Sequence, residues 1–316
     1  MKIVTLDEIT QGQDWVGLGI AGNQAEHLAQ AGEADDFKEV VALENAPKGM
    51  FPWYISGSDS FLGVHPLSHD RLNNNSEGFL QPEPEIALVV KFEYSDRDEK
   101  LLDDISVLGF SAFNDCSRRV AAAKISQKKN WGAASQGMAK EILSIDDFTR
   151  EGGTSDNYRL TCYLKRDGEL LQYGKDTAVT DYCYSNQTLV DWMVNQINTQ
   201  QDNGPLEPIG QMLVTSKPAY GIIAIGATCY SEFGNSEMRF LKEDDEILVI
   251  AYDGDQHTTS ALEKSLIGSP LPESNASRLI LQQQVTTISP PPTLRRRRPR
   301  VNIKIVFADS DIALIL

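Results

Sequence analysis

The 316-residue chain has few of the features that mark secreted or membrane proteins. It has only four cysteines, Cys116, Cys162, Cys183 and Cys229, and no C-x-x-C pair, so neither a disulfide framework nor a zinc ribbon is indicated. No apolar run approaches the roughly 20 residues of a transmembrane helix. The start, MKIVTLDEIT, lacks the basic and apolar regions of a signal peptide. We therefore expect a protein of the reducing cytoplasm, with free thiols and no membrane partner.

Positive charge is also scarce. The chain has 29 lysines and arginines against 45 aspartates and glutamates, a net charge of -16. Residues 271–316 hold seven basic and three acidic side chains, which leaves 22 against 42 in residues 1–270. A body of this charge repels nucleic acid, so we expect no nucleic-acid partner. The apolar content of 41% is enough for a sizeable core.

Two carboxylates precede an apolar run in QPEPEIALVV. Glu83 and Glu85 are two residues apart, so on a strand they project from the same face. The run over residues 86–90 is typical of a strand buried on both faces. Two acids at the end of such a strand repel each other and lose hydration, which predicts a cation between them, and an oxygen-preferring divalent metal is the natural one. The alternative is a solvated sheet edge, which is common in acidic chains.

A third carboxylate, Asp115, follows a second strand-like run in GFSAFNDCSRR, and a segment rich in small residues, KNWGAASQG, begins at Lys129. The order E-x-E, then G-[FY]-x-x-x-N-D-x-S-x-R, then a lysine-containing glycine-rich loop resembles the fumarylacetoacetate hydrolase family. The resemblance implies a mostly β (α+β) fold, a mixed β-sheet barrel or roll with a few peripheral helices. It also implies a homodimer.

The same resemblance implies roles for five residues. Glu83, Glu85 and Asp115 would bind Mg2+, or Mn2+ or Ca2+ in its place. Lys129, as a catalytic residue, and Arg119, as a substrate-binding residue, would neutralise the negative charge of a small oxo-acid substrate or of a developing oxyanion.

A further family signature, G-x-N-Y-x-x-H-x-x-E, is matched at Asn23 and His27, which implies that His27 is a catalytic base. Gln30 stands where the family has the glutamate that pairs with this histidine. A neutral glutamine cannot stabilise the imidazolium as a carboxylate does, so the substitution shifts weight towards reactions that need no activated water. On the residues alone, His27 would be a surface histidine on an amphipathic helix.

A third signature, a strand ending in T-G-T-P, resembles GQMLVTSKPAYGIIAIG. The family uses this loop to hold a substrate carboxylate, which implies that Thr215, Ser216 and Lys217 bind substrate; the alternative for Lys217 is that it points into solvent. The segment FLKEDDEILVIAYDG resembles the family's closing strand, near residue 252.

Local patterns predict two further elements. Alternating apolar residues on both sides of Asp167-Gly168 predict a β-hairpin over residues 158–171. Apolar residues recur at helical spacing after Ser185-Asn186, which predicts a helix there.

Composition changes near the C-terminus, where SPPPTLRRRRPR is rich in proline and arginine. We therefore expect a catalytic domain over residues 1–268 and a Pro/Arg-rich extension of unknown role over residues 269–316. The basic run is a candidate for nucleic-acid binding or, given the acidic body, for a solvated tail that lies on it.

Together the motifs imply a metal-dependent hydrolase of a carbon-carbon bond in an acylpyruvate-like or 1,3-diketo acid, acting through a metal-bound enolate. One alternative is an oxo-acid decarboxylase or a tautomerase/isomerase on the same metal site. Another is a protein that binds a small oxo acid without turnover.

Overall fold

Strands dominate the computed structural model, which describes residues 2–24, 26–40, 42–43, 45–74, 78–267 and 271–287. The predicted mostly β class with peripheral helices is confirmed. The strands are β1 (Lys2–Val4), β2 (Trp15–Ala21), β3 (Gly49–Ile55), β4 (Leu67–Ser68), β5 (Arg71–Asn73), β6 (Phe79–Gln81), β7 (Pro84–Tyr94), β8 (Leu102–Asn114), β9 (Ser117–Arg119), β10 (Gln136–Met138), β11 (Ile142–Ser144), β12 (Tyr158–Arg166), β13 (Glu169–Ala178), β14 (Tyr220–Ala224), β15 (Glu246–Asp253) and β16 (Arg278–Thr286). The helices are α1 (Leu6–Thr10), α2 (His27–Gln30), α3 (Ser126–Lys129), α4 (Asn186–Thr199), α5 (Ile209–Leu213) and α6 (Thr259–Ile267).

A nine-stranded mixed sheet has the path β1-β11-β8-β7-β14-β2-β3, with β10 joining β8 and β4 at the side. Its centre is the long antiparallel pair β7 and β8. Leu88, Val89 and Val90 have no exposed surface, so β7 is buried on both faces, as its unbroken apolar run predicts. Strand β14 pairs antiparallel to β7 and parallel to β2.

A five-stranded sheet in the order β13-β12-β15-β16-β5 packs against β7 and β8, and the main apolar core includes side chains from both sheets. The hairpin predicted at Asp167-Gly168 is confirmed as β12 and β13. Both turn residues have positive φ, 53° and 83°, which a two-residue type I′ turn requires. The predicted closing strand is β15.

The predicted helix after Ser185 is α4, and its buried residues Leu189, Val190, Met193 and Ile197 lie at helical spacing. Contacts of α4 with β8 hold it against the nine-stranded sheet. Among the described residues, none of the helices combines the length and the apolar character needed to cross a bilayer.

The domain boundary predicted at residue 268 does not match the structure. Strand β16 lies beyond it and pairs antiparallel with β15 and parallel with β5. Leu279, Leu281 and Val285 on β16 are fully buried. The strand was missed because glutamines at positions 282–284 break its apolar pattern next to a basic segment. The folded domain therefore extends through Thr286, and the basic run of residues 295–298 lies outside the described residues.

A chain ending after residue 268 should fail to fold, because it removes a strand that lies between two others in the five-stranded sheet. A chain ending after residue 287 keeps every described strand and serves as the matched control. Circular dichroism during thermal denaturation would distinguish them. Cooperative unfolding of the shorter chain at the temperature of the longer one would contradict this placement of β16.

Candidate active site and metal centre

Strand register brings the acidic residues together at one end of the nine-stranded sheet. Pro84 pairs with Asn114 across β7 and β8, so Glu83 and Asp115 stand opposite each other one residue further on. The Asp115 N–H donates to the Glu83 carbonyl oxygen at 2.9 Å. Glu85 lies on the same face of β7 as Glu83, two residues along the strand.

The three carboxylates form a buried group. One oxygen from each of Glu83, Glu85 and Asp115 lies within 4.8 Å of the others, and the residues are only 5%, 3% and 1% exposed. They are therefore not a solvated sheet edge. Asp115 Oδ1 is buried and has no hydrogen-bond partner. Carboxylate oxygens with unused acceptor capacity are suitable ligands for Mg2+, Mn2+ or Ca2+, so the residues present fit such an ion.

Lys129 supplies positive charge to this group from the end of α3. Its Nζ donates to Glu83 Oε2 at 2.7 Å and to the Asp115 carbonyl oxygen at 2.9 Å. Nζ also lies 2.7 Å from Asp115 Oδ2. This contact is an ion pair whose geometry is not that of a hydrogen bond. Burial lowers the pKa of Lys129, but the charges of Asp115 and Glu83 outweigh burial and raise it above its ordinary value. Lys129 is therefore a buried ammonium.

The three carboxyl groups differ in pKa because their cation partners differ. Burial raises the pKa of Glu83, but Lys129 and Arg119 outweigh it and hold that pKa well below its ordinary value. Burial and the charge of Asp115 raise the pKa of Glu85 well above its ordinary value. Burial raises the pKa of Asp115 to about 6, against the opposing effect of Lys129. The cations present therefore stabilise the ionised form of Glu83 more than those of Glu85 and Asp115.

Arg119, predicted to bind substrate, is engaged with protein groups instead. Its Nε donates to Gln81 Oε1 at 2.8 Å, and its Nη2 donates to Glu83 Oε1 at 2.8 Å and to the Tyr230 hydroxyl at 3.1 Å. Its Nη1 donates to Glu33 Oε1 at 2.9 Å and to the Ser117 hydroxyl. All five N–H groups of a guanidinium are thus satisfied. Arg119 therefore orients Glu83 through the hydrogen bond to its Oε1.

His27 is buried at the same site, just beyond the end of β2, and is not a surface histidine. Its Nδ1 lies 3.0 Å from the Thr228 carbonyl oxygen. A carbonyl only accepts, so Nδ1 carries the proton and Nε2 of the neutral ring is free to accept one. This Nε2 lies 3.8 Å from Glu83 Oε2.

Gln30 does not orient His27, although their spacing matches the family's pair. Its side-chain oxygen accepts the Tyr230 N–H at 2.8 Å. Glu33, three residues later, lines the site together with Glu83, Glu85 and Asp115. It accepts from Arg119 and, at 3.2 Å, from Lys128 Nζ. His27 is therefore held by an uncharged carbonyl.

Thr215, Ser216 and Lys217 lie outside this site. They are exposed, and Lys217 lines a separate surface cavity of about 680 Å3 with residues 95–101. The strand predicted over this segment is instead helix α5 followed by β14. The end of β14 that reaches the site is the later one, at Ala224.

The groups that sequence analysis missed lie just beyond the end of β14. Ala224 pairs with Ala87, so Gly226 stands opposite Glu85, and its N–H donates to Glu85 Oε2 at 2.7 Å. Gly226 has a φ of +119°, and a Cβ there would lie 2.9 Å from Asn23 Cβ, so no other residue fits. The sequence feature that could have indicated these groups is Gly-Ala-Thr at residues 226–228, directly after an apolar run.

The carboxylates, His27, Glu33 and Lys129 surround a cavity of about 20 Å3. One water molecule needs roughly 10–15 Å3, so the cavity has room for an ion or a water molecule. An organic ligand requires displacement of part of the wall.

Comparisons with known proteins give one family model and several solved structures of low sequence identity. A family model described as "Family of unknown function (DUF5718)" matches residues 33–285. No curated protein matches the chain. Similar solved structures include a putative fumarylacetoacetate hydrolase family protein from Yersinia pestis CO92, at 11% identity and a TM-score of 0.49, over 87% of this chain and 95% of that one. A yeast fumarylacetoacetate hydrolase family protein is 13% identical with a TM-score of 0.47, over 87% and 94%. A 2-keto-3-deoxy-D-arabinonate dehydratase complexed with magnesium and 2,5-dioxopentanoate is 11% identical with a TM-score of 0.47, over 90% and 82%.

Arg119→Ala should lower the free energy of unfolding by about 3–5 kcal/mol, because it leaves Glu33 and Glu83 buried without their shared cation. Arg118→Ala is the control, since the Arg118 side chain donates an exposed hydrogen bond to the Gln127 carbonyl oxygen, and its loss should cost less than about 1 kcal/mol. Urea denaturation measures both. Equal losses of unfolding free energy in the two variants would show that the Arg119 network stabilises the fold no more than an exposed hydrogen bond does.

Glu85→Gln should stabilise the metal-free protein increasingly as pH rises. The folded-state pKa of Glu85 is raised, so wild type loses stability as pH rises through that pKa, whereas glutamine does not ionise. Glutamine can still accept the Gly226 N–H. Urea denaturation with EDTA at about pH 5 and about pH 8 tests this, with exposed Glu169→Gln as the control. A variant less stable than wild type at the higher pH would contradict it.

Proposed function

The chain belongs to the DUF5718 family, whose function is unknown, and we propose that it is a metal-dependent enzyme that converts a small oxo acid through an enolate. The observation that carries this proposal is the buried group of Glu83, Glu85 and Asp115, with an unpartnered oxygen on Asp115. His27 and Lys129 border the same cavity. A divalent ion held by the three carboxylates would act as a Lewis acid that stabilises an enolate.

The charge of the site favours an anionic substrate. Its buried carboxylates are Glu33, Glu83, Glu85 and Asp115, and the cations paired with them are Arg119, Lys128 and Lys129. One negative charge is in excess when all are ionised, so a divalent ion would leave one positive charge in excess. A carboxylate ligand would neutralise that charge, and burying it unpaired would be costly. A monoanionic oxo acid meets this requirement.

His27 is the residue best placed to move a proton. The Thr228 carbonyl fixes the tautomer in which Nδ1 is protonated, so Nε2 can accept a proton as the enolate forms or return it to carbon. Glu83 Oε2, 3.8 Å from Nε2, would stabilise the resulting imidazolium. Lys129 and Arg119 hold Glu83 in its ionised form.

Decarboxylation or keto-enol tautomerisation is the reaction class that this arrangement supports best. Neither reaction needs a strong base for water, and Nδ1 of His27 has a neutral partner rather than a carboxylate. Hydrolysis of a carbon-carbon bond in an acylpyruvate is the second candidate, because the order of the acidic motifs is that of the hydrolase family. The homodimer and the cytoplasmic location stay predictions.

Metal binding should raise the melting temperature of EDTA-treated protein, since a ligand that binds only the folded state stabilises it by about 2.7 kcal/mol at 100 times its Kd. Asp115→Asn should abolish the gain from Mg2+ or Mn2+. Asp104→Asn, on the exposed far part of β8, is the control and should retain it. An unchanged gain in Asp115→Asn would exclude the three-carboxylate site.

Turnover should be sought with oxaloacetate and with acylpyruvates in the presence of Mn2+, by following pyruvate release and loss of the enol absorbance. His27→Ala should lower the rate by about 10²–10⁴, as loss of a general base does. Gln30→Glu should not raise hydrolysis, because position 30 contacts Tyr230 rather than His27. Metal-dependent ligand binding without turnover would instead support a binding protein.

A further inference from the structure

The Lys129 ammonium is enclosed by the residues that would bind the metal. Glu83 Oε2, Asp115 Oδ2 and the Asp115 carbonyl oxygen lie 2.7, 2.7 and 2.9 Å from Nζ. Two of these contacts are hydrogen bonds and the third is an ion pair. Lys129 is 2% exposed, so in this arrangement its ammonium is held by these oxygens and not by a substrate.

Glu83 in particular has no oxygen without a cation partner. Its Oε1 accepts from Arg119 Nη2 at 2.8 Å and its Oε2 accepts from Lys129. A metal ion that binds Glu83 must share one of these oxygens with a positively charged group. Like charges repel strongly at such distances where water is excluded. The ammonium and the ion therefore cannot both keep their best positions.

We propose that Lys129 is an internal counter-cation that competes with the metal ion for Glu83 and Asp115 and thereby weakens metal binding. The inference rests on the proposed metal site and adds what determines the affinity of that site for the metal ion. If Lys129 instead only held the carboxylates in place for the ion, its removal would weaken metal binding. Competition predicts the opposite sign, because loss of the ammonium leaves one more negative charge facing the ion.

The displaced ammonium can turn towards Phe51, whose ring centroid is 5.7 Å from Nζ, within range of a cation-π contact. The cavity lined by Glu83, Glu85, Asp115 and Lys129 has room for one ion, so the ammonium would leave Asp115 as the ion enters. It would then face an anionic ligand bound to that ion. Metal binding would thus free Lys129 for the catalytic role that the motif resemblance implies.

Lys129→Met tests the competition, because methionine is of similar length and uncharged. Its Kd for Mn2+, measured by titration calorimetry and by Mn2+ electron paramagnetic resonance, should be at least about tenfold lower than that of wild type. Lys124→Met is the control: Lys124 lies just before α3, carries the same charge, and pairs with Asp202 and with the Gly204 and Leu206 carbonyl oxygens rather than with a carboxylate of the site. Its Kd should stay within about twofold of wild type. An unchanged or higher Kd in Lys129→Met would overturn the proposal.

A crystal structure of wild type with Mn2+ gives a test that needs no variant, should metal-free Lys129→Met fail to fold. Nζ of Lys129 should then lie away from Asp115 Oδ2. An ammonium still 2.7 Å from that oxygen beside a bound ion would overturn the competition while leaving the proposed metal site intact. Wild type that binds no Mn2+ in calorimetry would overturn the metal site itself.

Discussion

Repulsion among buried carboxylates is the constraint on which this site depends. Glu83, Glu85 and Asp115 could not be packed together at the end of a buried strand without positive charge nearby. Arg119 and Lys129 supply it, and each is held by several acceptors rather than left free. Charge neutralisation therefore explains why two residues expected to meet a substrate are bound to the protein's own acids.

Sheet register determines which groups meet. β7 pairs with β8 on one side and with β14 on the other, so a single strand end aligns Glu83 with Asp115 and Glu85 with Gly226. A slip of one residue would turn every side chain of β7 to the opposite face. The fully buried apolar residues of β7, such as Leu88 and Val90, resist such a slip because both faces are packed. The core thus fixes the geometry of the charged site.

The parts of the fold and site that sequence predicted are those set by local pattern. Glu83 and Glu85 are two apart on a strand, Asp167-Gly168 forms a two-residue turn, and the α4 residues repeat at helical spacing. The segment before Thr215 is helix α5 and not the expected strand, because a short apolar run before a proline does not distinguish helix from strand. β16 was missed because its partners β15 and β5 are distant in sequence, and pairing with them outweighs its polar composition. The contact between His27 and Thr228 spans 201 residues, and no local pattern encodes it.

The neutral residue at position 30 is consistent with the charge of the whole site. Glu33 already contributes a buried carboxylate that draws on Arg119 and Lys128. A glutamate at position 30 would add a fifth acid close to a group whose cations already fall one short, and Glu85 and Asp115, with their raised pKa values, would be still harder to ionise. Gln30 avoids this while keeping the hydrogen bond to the Tyr230 N–H. A neutral residue at position 30 therefore keeps the carboxylates of the proposed metal site easier to ionise, while Nδ1 of His27 is held by the Thr228 carbonyl oxygen rather than by a carboxylate.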